Sequence, residues 1–466
     1  MNNSQKIILI AAMVLFAAVL FTIPSSVEWP ARSTIAVMVF GLILWAFAPI
    51  PLELTSVIVI MLLMVMRPVE TEVIFSGFSS PATFLIIAGM MMAIGVNHTL
   101  LVKRMTYGLL SLTGRTTKGI FISYFVLIQI QAFFIPATAV RTSMMLPIVE
   151  NIVKETESDK ESNFSKLLYI GAAFGNNVSG VVVLTAAVGN ILAVEMLRIY
   201  LGTSVSYVEW FIYVVPIWFL LAIAVMFILW KCFKPEVQTF PRLQESMREK
   251  YMQLGKLTLS EKKCIIILGV TILIWLTESV HGYHPTFAAL LAVILMSMPI
   301  TGIVEWNKMI NINYGIVLLV GGTLSLGYTL VESGAIELLE NLLFTETVIN
   351  IFSNPWTAVP LVIIFSQIYH LGVTNVQTAV VTLVPVLISL SLEAGIDPVV
   401  VTVAAAVSIL LGFILVVETM PNVVVESTGR VTQQDFIKPG IYITAASVII
   451  MIAVAFTYWR WIDFWP

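Results

Sequence analysis

The stretch that decides the fold is GIFISYFVLIQIQAFFIPATAVRTSMMLPIVENIV, residues 119–153. It is apolar at both ends and interrupted by a polar, helix-breaking centre, Pro136-Ala-Thr-Ala-Val-Arg-Thr-Ser143. A helix needs roughly 20 apolar residues to cross a bilayer, so this run is too long for one crossing and too broken for a plain one. A second stretch, 351–390, has the same form around His370-Leu-Gly-Val-Thr-Asn-Val-Gln-Thr378. Lipid offers no hydrogen bonds, so non-helical backbone at membrane depth persists only inside protein or along a cavity. Both centres are therefore candidate binding sites.

The rest of the chain puts these two stretches in a membrane. Of its 466 residues, 59% are hydrophobic and only 11% charged, whereas a soluble domain has about a quarter charged. The composition predicts an all-α polytopic membrane protein. Candidate spans are 6–23, 33–49, 51–66, 82–98, 167–196, 210–230, 264–280, 284–299, 314–331, 398–425 and 439–458. The first has no small-residue cleavage site and reads as a retained span, not a signal peptide. Cys232 and Cys264 flank a basic loop and form no metal or redox pattern. The eleven tryptophans, mostly beside spans, read as interface anchors.

Loop charge sets the orientation. Segment 101–118 carries Lys103, Arg104, Arg115 and Lys118 without an acid, and 231–263 carries eight Lys/Arg. Segment 332–350 has Glu332, Glu337, Glu340 and Glu346 and no base. The positive-inside rule puts the first two in the cytoplasm and the third outside. Four spans precede the first basic loop, so the N-terminus is cytoplasmic. Two spans separate the basic loops, so 119–153 enters and leaves on one side as a re-entrant hairpin. The same count makes 351–390 a hairpin opening outward and the C-terminus external. The total is about eleven transmembrane helices plus two re-entrant hairpins in the inner (plasma) membrane.

The halves echo each other. Gly89-Met-Met-Met-Ala-Ile-Gly95 matches Gly321-Gly-Thr-Leu-Ser-Leu-Gly327, and Gly189-Asn190 matches Pro421-Asn422, each pair 232 residues apart. Pro147 and Pro385 are 238 apart. This predicts inverted repeats: 1–32 as an N-terminal span and external loop, 33–230 as repeat 1, 231–263 as a basic cytoplasmic linker and 264–466 as repeat 2. Such repeats place the substrate near the bilayer midplane, between broken elements.

At each centre a helix begins, and its free N–H groups and positive dipole end suit an anion. Carbonyls left free by the preceding helix suit a cation such as sodium. Arg141 is the only Lys or Arg between Lys118 and Lys154. A buried cation costs several kcal/mol, which leaves two readings: a bidentate partner for a substrate carboxylate, sulfonate or sulfate, or a cap for a helix end or a protein acid. No Lys or Arg occurs from Met309 to Gly429, so Thr374, Asn375 and Thr378 are the polar groups of the second centre. Their alternative is ordinary interhelical hydrogen bonding. Further breaks are expected at Gly175-Asn-Asn-Val-Ser-Gly180 with Thr185 to Asn190, and at Glu418-Thr-Met-Pro-Asn422. Glu418 reads as a cation or proton site or as a structural acid, and His370 as structural or, less simply, a proton carrier.

The chain resembles the divalent anion:sodium symporter family, which includes dicarboxylate, citrate and sulfate carriers. The resemblance rests on Ser80-Pro81-Ala-Thr-Phe-Leu, Met144-Met-Leu-Pro147, Glu209-Trp210-Phe211 with Pro216, Leu254-Gly255 with Leu259-Ser-Glu-Lys262, Gly321-Gly-Thr-Leu-Ser-Leu-Gly, and Pro421-Asn422 with Thr428-Gly429. Family members carry Ser-Asn-Thr at both hairpin tips. Thr374-Asn375-Val376 keeps the asparagine, whereas Ala137-Thr138-Ala139 keeps neither serine nor asparagine. Pro136 followed by Arg141 is similar to the dicarboxylate-exchanger branch. The resemblance implies a homodimer working by an elevator motion. With the residue reading, it implies a substrate site of Thr138, Arg141, Thr142, Asn190, Thr374, Asn375, Thr378 and Asn422. For sodium or another coupling ion it implies Ala137, Ala139, Gly189, Asn375, Val376, Glu418 and Pro421.

The reading is a secondary carrier of small anions, most simply a dicarboxylate, coupled to sodium. Its rivals are a sodium-independent exchanger, a carrier for sulfate or an organosulfonate, and a cation/proton antiporter. No paired acids or spaced histidines suggest an enzyme, and no cofactor beyond sodium is implied. The expected partners are a small anion, the lipid bilayer and a second copy of the chain. The basic residues lie in two loops with a topological explanation, so nucleic acid is not among them.

Overall fold

The computed structural model describes residues 3–24, 26–156 and 162–465, without the side chains of 341–343. The described residues are helical throughout, with one isolated bridge between Thr116 and Thr239 and no strand. Six helices are long and apolar enough to cross a membrane alone, and eight if two bent pairs each count once. Leu52–Met66, Pro285–Ser297 and Pro398–Leu410 are shorter apolar helices.

The helices pack in two groups. One holds Asn3–Thr22, Trp29–Phe47, Leu52–Met66, Pro81–Asn97, Leu259–Leu276, Pro285–Ser297 and Tyr314–Glu332. The other holds Thr117–Gln131, Thr138–Glu155, Asn163–Val181, Val188–Leu201, Tyr207–Cys232, Pro355–Gly372, Val376–Glu393, Pro398–Leu410, Met420–Glu426 and Gln433–Val454. Packing within each group is dense. Between them it is sparser, mainly where Tyr314–Glu332 meets Val188–Leu201 and Val376–Glu393. Much of the first group has its own apolar core, including Ile35, Trp45, Val59, Leu63 and Leu326.

The two basic segments lie together. Phe240 N donates to Arg115 O at 2.8 Å, and Thr117 N to Gln238 O at 3.1 Å. On the same face, Lys250 pairs with Glu155 at 2.8 Å and holds its carboxyl below the usual carboxylate range. Glu236 Oε1 there accepts from Asn163 N at 2.7 Å. The helix pair Thr117–Gln131 and Thr138–Glu155 thus begins and ends at one face of the molecule.

The breaks differ in place from the sequence expectation. The first elbow is 132–137, and Thr138–Ser143, expected to be unwound, opens a regular helix. Pro136 lacks an N–H and biases Ile135 away from helix, so the break falls before Thr138. The second elbow is only 373–375, with Asn375 Oδ1 accepting from Thr378 N at 3.0 Å as the N-cap. Pro147 and Pro385 lie inside helices rather than ending a break. Gly175–Gly180 is helical, and the unwound segment follows it at 182–187. The glycine there admits Phe125 and Ile128 of the neighbouring helix, and Gln129 Nε2 donates to Gly175 O at 3.0 Å. The fourth break is 411–419. Trp45, Trp210, Trp275 and Trp459 are buried rather than at an interface, because each indole N–H finds a backbone carbonyl inside the bundle.

Candidate functional site

The two unwound segments are built alike. Val183 and Ala187 are extended (φ −130°, ψ 154° and φ −144°, ψ 147°), and so are Leu415 and Thr419, 232 residues later (φ −104°, ψ 144° and φ −136°, ψ 149°). A short 3₁₀ turn lies between each pair, at Leu184–Ala186 and Val416–Glu418. One asparagine closes each segment. Asn190 Nδ2 donates to Gly180 O at 2.8 Å and Val183 O at 2.9 Å. Asn422 Nδ2 donates to Gly412 O at 3.2 Å and Leu415 O at 3.1 Å. Every partner repeats at the same 232-residue offset. Carbonyls that lose helical partners in an apolar interior need such substitutes.

The remaining backbone groups are satisfied differently. Arg141, fully buried, donates from Nη1 to Ile135 O at 2.7 Å and Ala186 O at 2.9 Å. Its Nη2 reaches Ser179 Oγ at 3.1 Å and its Nε reaches Asn176 Oδ1 at 3.3 Å. The guanidinium therefore ties the first elbow to the first unwound segment. In the second half, Glu418 accepts from Ile414 N at 3.1 Å and Leu415 N at 3.0 Å. Gln433 takes Val416 N at 2.8 Å and gives to Ile414 O at 2.9 Å. Asn177 joins the halves, donating to Gly412 O at 2.8 Å and Asn422 Oδ1 at 3.0 Å.

Both elbows and both unwound segments border one cavity of about 290 Å³. Of the residues expected in a site, Ala137, Thr138, Ala139, Gly189, Thr374, Asn375, Val376, Glu418 and Pro421 line it. Arg141, Thr142, Asn190, Thr378 and Asn422 stand behind the wall. Thr142 Oγ1 donates to Thr138 O at 2.9 Å and Thr378 Oγ1 to Asn375 Oδ1 at 3.1 Å. A Cβ on Gly189 would sit 2.9 Å from Val376 Cγ1, so glycine permits the first unwound segment to meet the second elbow. His370 is buried, its Nδ1 3.0 Å from Val373 O, and it does not line the cavity.

Sequence reasoning missed Gln377, Thr419 and Asn177 on the wall, and Trp45, Leu52 and Ile316 from the other helix group. Thr419 was legible as the partner of Ala187 at offset 232. The contribution of the other group had no sequence signal, because packing alone brings it there.

Three helices of at least fourteen residues begin at this cavity: Thr138–Glu155, Val188–Leu201 and Val376–Glu393. The first two have Ala137 and Ala187 as N-caps, with no side-chain cap bond. Ala137 also has φ 71°, a conformation that costs a non-glycine residue about 1–3 kcal/mol. In the second half Asn375 and Thr419 cap their helices with oxygen atoms. Glu418 is the one charged lining residue among those described. The cavity offers bare N–H groups on one side and oxygen atoms on the other.

Comparison with known proteins agrees with this architecture. Sodium-dependent dicarboxylate transporter SdcS of Staphylococcus saprophyticus is 24% identical over 98% of this chain and 91% of its own length. The SdcS of Staphylococcus aureus matches at the same identity and coverage. A protein called only a membrane protein, from Cupriavidus necator, is 24% identical over 94% of this chain and 89% of its own. The family described as the sodium:sulfate symporter transmembrane region matches residues 2–465, so this chain belongs to that family and is a multi-pass membrane transporter rather than an enzyme.

Proposed function

We propose that the protein carries a small dicarboxylate across the plasma membrane together with sodium. The observation that carries this reading is the shared cavity, with uncapped helix N-termini on one wall and Asn375, Thr419 and Glu418 on the other. Peptide N–H groups at a helix start hold an anion without a charged side chain. Oxygen donors around a carboxylate suit a hard monovalent cation. A dianion beside Glu418 is repelled unless a cation accompanies it, and this is a physical basis for coupling. The names of the staphylococcal relatives favour a dicarboxylate and sodium.

In this reading Arg141 is a positioning residue. It fixes the two uncapped helix starts relative to each other and adds a buried positive charge behind them, where screening is weak. The shared face at both ends of the pair Thr117–Gln131 and Thr138–Glu155 supports a re-entrant hairpin from the cytoplasm. The matching breaks support inverted repeats in a chain of eleven crossings, with the N-terminus inside and the C-terminus outside. Sparse packing between the two helix groups supports an elevator, in which the hairpin-bearing group slides against the other within a homodimer.

The test is succinate uptake by proteoliposomes under an inward sodium gradient, with potassium as the control and sulfate as competitor. Uptake that needs sodium, and is accelerated by succinate on the far side, is the expected result. Equal uptake in potassium would replace symport by exchange, and inhibition by sulfate alone would move the substrate to an inorganic dianion.

A further inference from the structure

A second chamber of about 560 Å³ adjoins the cavity and shares Ala137, Ala139, Ile316 and Met420 with it. Its charge is opposite. Where the inner cavity presents Glu418, the outer chamber presents Lys103 and, among the described residues, no acid. Asn97, Asn151, Asn311 and Asn313 also line it.

Lys103 is exposed and, among the described residues, forms no salt bridge. Its neighbour Arg104 is committed to structure, with Nε 2.7 Å from Glu261 and Nη1 2.8 Å from Gly255 O. Lys166, Arg198, Lys250 and Arg430 are also paired, with Asp435, Glu195, Glu155 and Glu150. Asn313 Oδ1 accepts from Gly315 N at 3.0 Å, which leaves its NH₂ group as a donor. An ammonium group with carboxamide donors and no acid is a setting that attracts a carboxylate.

We propose that the outer chamber is a separate docking site for a small dianion, centred on Lys103 and filled before the anion reaches the inner cavity. The physical reason is the contrast in charge. A dianion is drawn to the outer chamber whether or not a cation is bound, whereas Glu418 opposes its entry to the inner one until a cation arrives. The anion thus waits within one step of its transport site. This inference rests on the anion-carrier reading above.

The test uses the full chain in detergent, with Cys232→Ser and Cys264→Ala, and a reporter thiol from Ser143→Cys on the chamber wall. In sodium-free choline buffer, succinate should slow the reaction of that thiol with N-ethylmaleimide about threefold, an effect in the range of one exposed ion pair. Lys103→Gln should remove the protection and Lys103→Arg should retain it. Equal protection in Lys103→Gln, or none with Lys103 present, overturns the docking site. Succinate uptake by the same protein in proteoliposomes reads the carrier reading separately. Uptake without protection removes the docking site alone, and protection without uptake keeps it while removing the carrier reading.

Discussion

The unwound segments 182–187 and 411–419 share a backbone path and an asparagine clasp, yet their side chains at matching positions are opposite in kind. Ala186 and Ala187 in the first correspond to Glu418 and Thr419 in the second, each 232 residues on. At the elbows, Ala137 corresponds to Asn375 by the 238-residue spacing of Pro147 and Pro385. Three oxygen-bearing residues of one half are alanines in the other. The first half is held by a cation, Arg141, bonded to carbonyls, and the second by an anion, Glu418, bonded to N–H groups. One scaffold, repeated, can therefore present open N–H groups to an anion on one side and oxygen atoms to a cation on the other. The clasp is a requirement of the fold, while the flanking side chains are free to divide the chemistry.

The largest break in this comparison is Arg141→Ala. It leaves two carbonyls, Ser179 and Asn176 without a buried partner, which we expect to cost roughly 3 kcal/mol or more and to abolish succinate uptake. Arg141→Lys, which lacks the planar fork, should fold and transport only weakly. Thermal unfolding in detergent, read beside uptake, separates loss of fold from loss of function. Unchanged unfolding and uptake in Arg141→Ala would remove its positioning role.

Next come the two clasps. Asn190→Ala and Asn422→Ala each free two carbonyls, and the second also deprives Asn177 of an acceptor. Melting temperatures should fall in both, with losses of about 2 and about 3 kcal/mol respectively. A loss in one variant only would deny the equivalence of the two segments.

Glu418→Gln keeps the shape and removes the charge. The sodium concentration for half-maximal uptake should rise about tenfold, equivalent to about 1.4 kcal/mol, with a smaller change in succinate KM at saturating sodium. An unaltered sodium dependence would take Glu418 out of the coupling site.

The smallest effect is expected from Ala187→Thr, which gives the first half the cap of the second. A new N-cap should stabilise the protein by about 0.5–1 kcal/mol and weaken succinate binding about threefold by occupying an open N–H. Tighter succinate binding in this variant would place the anion elsewhere.

Much of this was legible in residue order. The breaks at Pro136 and around Asn375, the spacing of Asn190 and Asn422, and the isolation of Arg141 follow from the chain alone. Break boundaries were less so. Gly175–Gly180 looks like a poor helix, and only its packing against Phe125 and Ile128 makes it one. The direction of Arg141 was also hidden. Of the two roles its sequence position allows, the choice depends on how near the carbonyls of Ile135 and Ala186 come, and those belong to different segments.

The sequence by itself determined that the chain lives in lipid, that it doubles, and that each half must unwind. Those are consequences of composition and of where helix-breaking residues fall within apolar runs. Only the tertiary structure decided which polar groups face the cavity and which hold the backbone behind it. Inside an apolar bundle every unwound carbonyl and N–H must find a partner, so a polar residue takes up that task whenever folding brings it within reach, and its position along the chain does not reveal whether it has.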